Sequence, residues 1–502
     1  MRQNQKNGIF AASWVIDVLN TALPDQFNQL GTHEADSVHF TAITTDSRAV
    51  TEGCLFAALK GQTSDGHAFI EDAIRKGAAG ILYENSEFTL TPSQKNPLLF
   101  RVPNTRDAYR ALAFAWRREF KIPVLAVTGS MGKTTTKEMI AAMVQGKFKE
   151  FLKTEASQNG FDGIPMTLLK LRPEHKIAVI EIGIDEPGAM IQHLDLVAPT
   201  HSILTAIGPE HLLTLGSIET VAQEEGLSLS EVYKNGGTAI VNLDDPHIHL
   251  DPSLLGSEGG KAFYFSLQEG ETKKKASSET TLVATRTHQT NSLQEEIRVT
   301  GIGLNHALFQ VPVAGHHNAR NFTGALCAAL ALGLTESEIR NGLSHFEAPT
   351  GRSQVMQLPG GIQVLCDYYN ANPPSMVAGF QTVQEMHRIR SNAEKTGGRT
   401  WICLADMREL GPGEVAFHKG LAPELIKKNF DFILLFGPLM KSLHDELVSF
   451  KYQGFMKYFD EKKDLSSYLT SQARAGDTIL IKGSRGMRME EVWKALLDFF
   501  KK

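Results

Sequence analysis

The sequence predicts an α/β protein built on parallel sheets and divided into about three domains. Three observations predict it. The chain has 502 residues, and domains average roughly 150 residues. Continuous apolar runs of strand length recur along it, separated by stretches with helical spacing. One of those runs leads directly into a glycine-rich turn and then a helix, the order found where a strand ends at an anion site.

Composition narrows the class. Apolar residues make up 42% and charged residues 21%, an ordinary globular balance with enough apolar chain for large cores. The formal net charge of −5 leaves no broad basic field to hold nucleic acid. Lys273-Lys274-Lys275 is the only tight basic run, and its polar surroundings suggest a solvated loop. The four cysteines, Cys54, Cys327, Cys366 and Cys403, are far apart and form no CxxC pair. Neither a zinc site nor a disulfide framework is expected, and a reducing compartment fits. Met1–Phe10 lacks the apolar core of a signal peptide, and the longest apolar run, near Gly324–Leu334, is too short to span a bilayer. The expectation is a cytoplasmic protein with no membrane span.

The chain falls into blocks at residues 1–119, 120–348 and 349–502. The first holds short apolar segments such as Cys54–Leu59 and Ala79–Tyr83. The second opens with Ile122–Val127, a continuous apolar run of the kind buried on both faces of a parallel sheet. A helix follows, with Met139, Ile140, Met143 and Val144 at helical spacing. Further strands are expected at Ile177–Ile182, Ile203–Ala206 and Thr238–Val241. Gln268–Glu296 is rich in Thr, Ser, Lys and Glu and reads as a surface loop or hairpin. In the third block Val364–Cys366, Trp401–Ala405, Phe432–Phe436 and Thr478–Ile481 alternate with helical segments, a doubly wound pattern.

The strongest chemical signal is Gly129-Ser130-Met131-Gly132-Lys133-Thr134. Glycines let the backbone curl so that its N–H groups converge on an anion, and the helix start adds partial positive charge. Lys133 would neutralise the β- and γ-phosphates, and Thr134 would offer its hydroxyl to Mg²⁺. The general G-x-x-x-x-G-K-[ST] spacing is not met, because Val127 stands where its first glycine belongs.

Polar groups at strand ends are the next candidates, since ligands of open α/β sheets sit beyond the carboxyl ends of strands. Glu181 lies among apolar neighbours, and a buried carboxylate needs a cation or donors. A Mg²⁺ ligand is the favoured reading; pairing with a helix terminus is the alternative. His211 and Asp406 also follow strands, and His211 viewed alone is an ordinary partly buried histidine. Asn318 is placed either to cap the helix containing Ala325–Leu332 or to read a base edge. Asp367-Tyr-Tyr-Asn-Ala-Asn-Pro373 suggests a turn. In Lys482-Gly-Ser-Arg485, the lysine and arginine either hold an anion or are solvated.

Taken together these stretches resemble the Mur ligase family, and within it the dipeptide-adding members. The resemblance covers nearly the whole chain. The family's shortened loop, T-G-[ST]-x-G-K-[ST], accounts for the spacing above and appears here as Thr128–Thr134. Thr45-Asp-Ser-Arg48, Leu59-Lys-Gly61 and Asp65-Gly-His67 resemble its UDP-sugar-binding N-terminal domain. Gly163–Leu169 and Glu181-Ile-Gly183 resemble its central P-loop ATPase-like domain. His317-Asn318, Gly351-Arg352, Tyr369–Pro373, Asp406-Met407 and Lys482–Arg485 complete the series, the last four in a Rossmann-like C-terminal domain. Tyr369-Asn-Ala-Asn-Pro373 is the most discriminating, and the Asp-Asn-Pro-Arg signature of diaminopimelate-adding members is absent.

The resemblance implies ATP and Mg²⁺ as cofactors. It implies UDP-N-acetylmuramoyl-tripeptide and D-alanyl-D-alanine as substrates, joined through an acyl phosphate by a cytoplasmic monomer. It implies Thr134, Glu181 and His211 as Mg²⁺ ligands. It places Gly129, Ser130, Gly132, Lys133, Thr134, Thr135, His317, Asn318, Arg352 and Asp367 at the nucleotide. Ser47 and Arg48 would lie near the uridine diphosphate, with Asn370 and Asn372 at substrate. Lys133, Glu181, His211 and Glu225 would carry the catalysis.

The pattern breaks at Glu225. It stands where the family carries a lysine whose carbamylation supplies a carboxylate-like magnesium ligand. Glu225 is expected either to supply that charge directly, through a bridging water, or to be an exposed helical glutamate. Two smaller departures are Ser157-Gln-Asn-Gly160, where only Asn159 remains of an Asn-rich run, and Cys366, where an aspartate often precedes the one retained as Asp367.

Overall fold

The computed structural model describes residues 9–24, 27–30, 37–61, 64–84, 97–250, 259–268, 279–287, 295–394 and 398–501. The Lys273–Lys275 run and most of Met1–Phe10 lie outside the described residues. The chain forms two compact units. The first is drawn from residues 1–124, 150–182 and 192–199, the second from 125–149, 183–191 and 200–502.

In the first unit, strands β1 (Asn28–Leu30), β2 (Ile43–Thr44), β3 (Leu55–Ala57), β4 (Gly80–Tyr83) and β5 (Leu98–Arg101) form a sheet in the order β1-β5-β4-β3-β2. Its neighbours pair in parallel except at the antiparallel edge β1. Cys54, Phe56, Ile70, Ala73, Ile81 and Tyr83 pack into one core. Helix α1 (Thr105–Arg118) starts at Asn104, whose side chain accepts the N–H groups of Arg106 and Asp107. Arg117, at its end, is buried and donates to the carbonyls of Val197, Phe120 and Ala198.

The second unit holds a sheet that begins with β6 (Val124–Thr128), which leads into helix α2 (Lys133–Gln145). In the first unit β7 (Leu152–Lys153) and β8 (Ala178–Glu181) pair in parallel. The second unit continues with β9 (His201–Leu204), helix α3 (Ile218–Lys234), β10 (Thr238–Asn242), β11 (Lys261–Gln268), β12 (Thr281–Thr287), β13 (Glu295–Gly301) and β14 (Leu304–Val311). From β6 the order runs β6-β9-β10-β11-β12 in parallel, then β13 and β14 antiparallel. The strands sit within a residue or two of the apolar runs that predict them.

The stretch Gln268–Glu296, read as a surface loop or hairpin, takes part in an antiparallel hairpin of β12 and β13, and the correction is that it is not confined to the surface. Its residues 281–287 form a strand inside the sheet, with Leu282 and Ala284 fully buried. Only alternate side chains enter the core, so composition alone looks like a loop.

Helix α4 (His316–Ala331) buries the apolar run read from the sequence. A second sheet of the same unit comprises β15 (Gln354–Leu358), β16 (Ile362–Asp367), β17 (Thr400–Ala405), β18 (Phe432–Phe436), β19 (Phe455–Phe459) and β20 (Thr478–Lys482). The order is β15-β16-β20-β17-β18-β19, parallel except at the edge β15. Apolar cores cover both faces, the doubly wound arrangement expected. Helix α5 (Pro373–Glu394) follows β16. Because β16, β20 and β17 are neighbours, the segments after them, Asp367–Pro373, Lys482–Arg485 and Asp406–Leu410, emerge side by side at the carboxyl edge.

Candidate active site

The phosphate loop joins β6 to α2 and takes its shape from two glycines. Gly129 has φ +117° and Gly132 φ +83°. A Cβ at Gly129 would collide with Thr205 Oγ1, and one at Gly132 with Asn321 Oδ1. The loop is tied down: Ser130 N–H donates to Ala206 O at 2.8 Å, and Thr205 Oγ1 to Met131 O at 2.6 Å. Ser130 Oγ is buried with no hydrogen-bond partner among the described residues. Thr134 and Thr135 are buried in the first turn of α2. A buried hydroxyl without a partner, in a glycine cradle at a helix start, fits a phosphate group. Gly132→Ala adds a left-handed strain and a collision. Its expected cost is roughly 1–3 kcal/mol of stability, with loss of ADP binding; thermal melts and ADP titration check both.

Lys133 Nζ donates to Gly129 O at 2.5 Å and pairs with Glu210 Oε2 at 3.2 Å. Glu210 Oε1 also meets Asn370 Nδ2 at 3.4 Å and His211 Nε2 at 3.8 Å. His211 is left-handed, φ +51°, and its Nδ1 lies 3.1 Å from Glu409 Oε2. Neither Glu210 nor Glu409 was singled out from the sequence. The available signal was that Glu210 directly precedes His211, and that Glu409 follows the Asp406-Met407 pair.

Glu225 lies on α3 beneath the loop. Its Oε2 accepts the N–H of Gly129 at 2.8 Å, and only 1% of the residue is exposed. The exposed-glutamate alternative is therefore overturned. Burial pushes its carboxyl up to about 7; Lys133 and the Gly129 N–H pull it down, while Glu210 and Glu224 push it up. The pH consequence has a definite sign. Below the unfolded value near 4.5 both states are protonated. From there to about 7 only the unfolded chain is ionised, so stability falls with rising pH and then levels off. Glu225→Gln removes this slope. Urea unfolding should find the variant more stable than the parent at pH 8, by up to about 3 kcal/mol, and not at pH 4.5.

A second group of predicted residues gathers at the carboxyl edge of the β16–β20 pair. Asp367 Oδ2 pairs with Lys482 Nζ at 2.5 Å, and Lys482 also donates to Asn370 O at 3.1 Å. Asp367 Oδ1 accepts the Ser353 N–H at 2.9 Å, and Ser353 Oγ lies 3.0 Å from His317 Nε2. Burial holds the His317 imidazole down at about 4, against a smaller opposing pull from Asp367, so it is neutral at pH 7. Arg352 stacks on the Tyr369 ring at 4.0 Å, with Arg485 at 5.5 Å from the same ring.

Two asparagines singled out from the sequence have definite local contacts. Asn318 is not the cap of α4; Gly315 is, and Asn318 is buried within the first turn, donating to Ala314 O at 2.9 Å. Asn372 is buried and its Oδ1 accepts the Ser375 N–H at 3.0 Å at the start of α5.

In the first unit Glu181 is buried, as its neighbours predict. Its Oε1 accepts from Asn159 Nδ2 at 2.8 Å, and its N–H donates to Thr154 Oγ1 at 2.9 Å. Asn159 is the one asparagine retained from the expected run. Ser47 O accepts from Lys76 Nζ, and Arg48 is exposed and paired with Asp46 at 2.9 Å. Among the described residues no three His, Cys, Asp or Glu side chains gather as a metal site. Mg²⁺ commonly takes only one or two carboxylates, with water and substrate phosphates completing its shell. All four cysteines are free and buried.

Fold and site define an α/β protein of the phosphate-loop class, with a second doubly wound sheet presenting charged loops. Three family descriptions match in order: "Mur ligase family, catalytic domain" over residues 39–116, "Mur ligase middle domain" over 127–329, and "Mur ligase, glutamate ligase domain" over 351–485. The chain belongs to the Mur ligase family. It is 32% identical to UDP-N-acetylmuramoyl-tripeptide–D-alanyl-D-alanine ligase of Escherichia coli (strain K12), over 96% of this chain and 99% of that protein. Identity to the enzyme of that name from Bacillus subtilis (strain 168) is 30%, over 93% and 94%. A crystal structure of MurF from Acinetobacter baumannii matches with a TM-score of 0.78 at 26% identity, over 97% of this chain and 99% of that one.

Proposed function

We propose that this chain joins D-alanyl-D-alanine to UDP-N-acetylmuramoyl-tripeptide with hydrolysis of ATP to ADP and phosphate, in peptidoglycan precursor synthesis. The observation that carries this is the end-to-end match, at 32% identity, to an enzyme named for that reaction. The protein is read as a cytoplasmic monomer; no described helix is long and apolar enough to cross a membrane.

In the reaction, the tripeptide's terminal carboxylate takes the γ-phosphoryl group of ATP, and ADP leaves. The amine of D-alanyl-D-alanine then attacks the acyl phosphate, loses a proton, and expels inorganic phosphate. Such transfer demands positioning and charge neutralisation more than covalent help. Gly129, Ser130 and Gly132 offer a cradle to the phosphates. Lys133, already part of an ion pair, carries positive charge beside them. Thr134 and Thr135 lie where a nucleotide's phosphate–magnesium end is expected. Mg²⁺, when bound, neutralises phosphate charge, and Thr134, Glu181 and His211 are its proposed ligands. Glu225 holds Gly129 through its N–H, and its raised carboxyl carries negative charge beneath the loop only above about pH 7. His317, Asn318, Arg352 and Asp367 are assigned to the nucleotide. Asn370 and Asn372 are assigned to the acceptor side, and Ser47 and Arg48 to the uridine diphosphate.

Phosphate release from the purified protein tests the reading. It should require the tripeptide substrate and D-alanyl-D-alanine together. Release with another amino acid but not with the dipeptide identifies a ligase of different acceptor. No release from folded protein identifies a binding paralogue.

A further inference from the structure

The strand pair β12–β13, polar enough to look like a surface loop, carries a buried ionic contact. Arg286 on β12 donates from Nε to Glu295 Oε2 at 2.8 Å and from Nη2 to Glu295 Oε1 at 2.7 Å. The same Nη2 lies 3.0 Å from each carboxylate oxygen of Glu385, on α5. The Arg286 and Glu295 side chains are only 11% and 10% exposed. Glu295 Oε1 also accepts the N–H of Gly315 at 2.9 Å.

Gly315 is the turn that opens α4, directly before His316, His317 and Asn318. Its φ is +97°, and a Cβ there would collide with Thr382 Oγ1, also on α5. Helix α5 therefore touches the turn twice, once through the Gly315–Thr382 approach and once through Glu385, Arg286 and Glu295. A buried backbone N–H must be satisfied, and Glu295 satisfies this one. A buried carboxylate needs a partner in turn, and the Arg286 fork provides it in bidentate geometry. Burial disfavours the Arg286 charge, but the two carboxylates outweigh it and hold the guanidinium above its ordinary value.

We propose that Glu385, Arg286 and Glu295 are positioning residues for the nucleotide: they lock α5 to the Gly315 turn and so hold His317 and Asn318 in place. This rests on the reading of His317 and Asn318 as nucleotide-binding residues. The contacts attributed to the nucleotide come from both sides of the joint, since His317 meets Ser353 and Ser353 meets Asp367. When nucleotide contacts lie on both sides of the joint, its closure and nucleotide binding favour each other, with one coupling free energy in both directions.

The test is ADP binding with Mg²⁺ to the full-length protein, by calorimetry. Glu385→Ala should weaken ADP on the order of tenfold with only a modest fall in the melting midpoint, because Glu295 still pairs with Arg286, and Glu385→Asp should recover most of the loss. In turnover, the KM for ATP should rise by the same factor while the KM for D-alanyl-D-alanine stays put. His317→Ala is the control for the nucleotide reading. If it weakens ADP while Glu385→Ala binds within about twofold of the parent, the network does not position the nucleotide. If His317→Ala leaves ADP binding unchanged, the nucleotide reading fails and takes the proposal with it. Should Glu385→Ala fail to fold, Glu385→Gln keeps the shape, removes the charge and is judged by the same criterion.

Discussion

Replacing Lys133 with alanine should lower ADP formation by roughly a thousandfold or more, with the fold intact. The magnitude follows from what phosphoryl transfer requires. Removing a cation aimed at the transferring group in comparable sites costs about 10³-fold or greater. The 3.2 Å pair to Glu210 and the 2.5 Å contact to Gly129 O already fix where the ammonium sits, beside the loop that cradles the phosphates. The structural penalty is small by comparison. Glu210 loses one partner but retains Asn370 and His211 nearby, so about 1 kcal/mol of stability is expected to go. Lys133→Arg should recover only part of the rate, because a planar fork does not reproduce a compact ammonium. A coupled ADP assay alongside a thermal melt separates the two effects. Retention of more than about a tenth of the parent rate by Lys133→Ala would contradict the assignment.

Lys482→Met carries the largest expected loss of stability, roughly 3–5 kcal/mol. Lys482 is 1% exposed, and its ammonium meets Asp367 Oδ2 at 2.5 Å. Removing it leaves a buried carboxylate with only the Ser353 donors. Burial alone would raise the Asp367 carboxyl; the charge and hydrogen bond of Lys482 outweigh it, helped by His317 and the Ser353 N–H, and the net shift is downward. The sign follows. A carboxyl held below its unfolded value stabilises the fold above that value, near 3.8, and the contribution is lost as the pH falls through the folded value. The gap between parent and variant in urea unfolding should therefore be wide at pH 7 and narrow in acid. A difference under about 1 kcal/mol at pH 7 would mean that the pair is not a buried one in solution.

Much of this site was legible in the sequence because some residue types cannot be placed casually. Gly129 and Gly132 signalled a tightly curled backbone, and both take positive φ. Glu181 within an apolar strand signalled a buried carboxylate needing donors, and Asn159 supplies one. Partners brought in from distant segments were not legible. Nothing local to Glu210 says that Lys133 and Asn370 will meet it, and nothing near Arg286 says that Glu385 will. The burial of the β12 strand, expected only as part of a surface loop or hairpin, was missed for a different reason. One of its faces is buried and the other is polar, so its composition matches a solvated loop. Glu225 was legible only as a departure from the family; its burial and its grip on Gly129 needed the fold.

The central claim is a ligation driven by this phosphate loop, and product mass tests it most directly. Parent protein is incubated with ATP, Mg²⁺, UDP-N-acetylmuramoyl-tripeptide and D-alanyl-D-alanine, and the nucleotide-sugar product is weighed. The account predicts a UDP-N-acetylmuramoyl-pentapeptide formed one for one with ADP, and none from Lys133→Ala. ADP formation without the pentapeptide, or pentapeptide from both proteins alike, would contradict it.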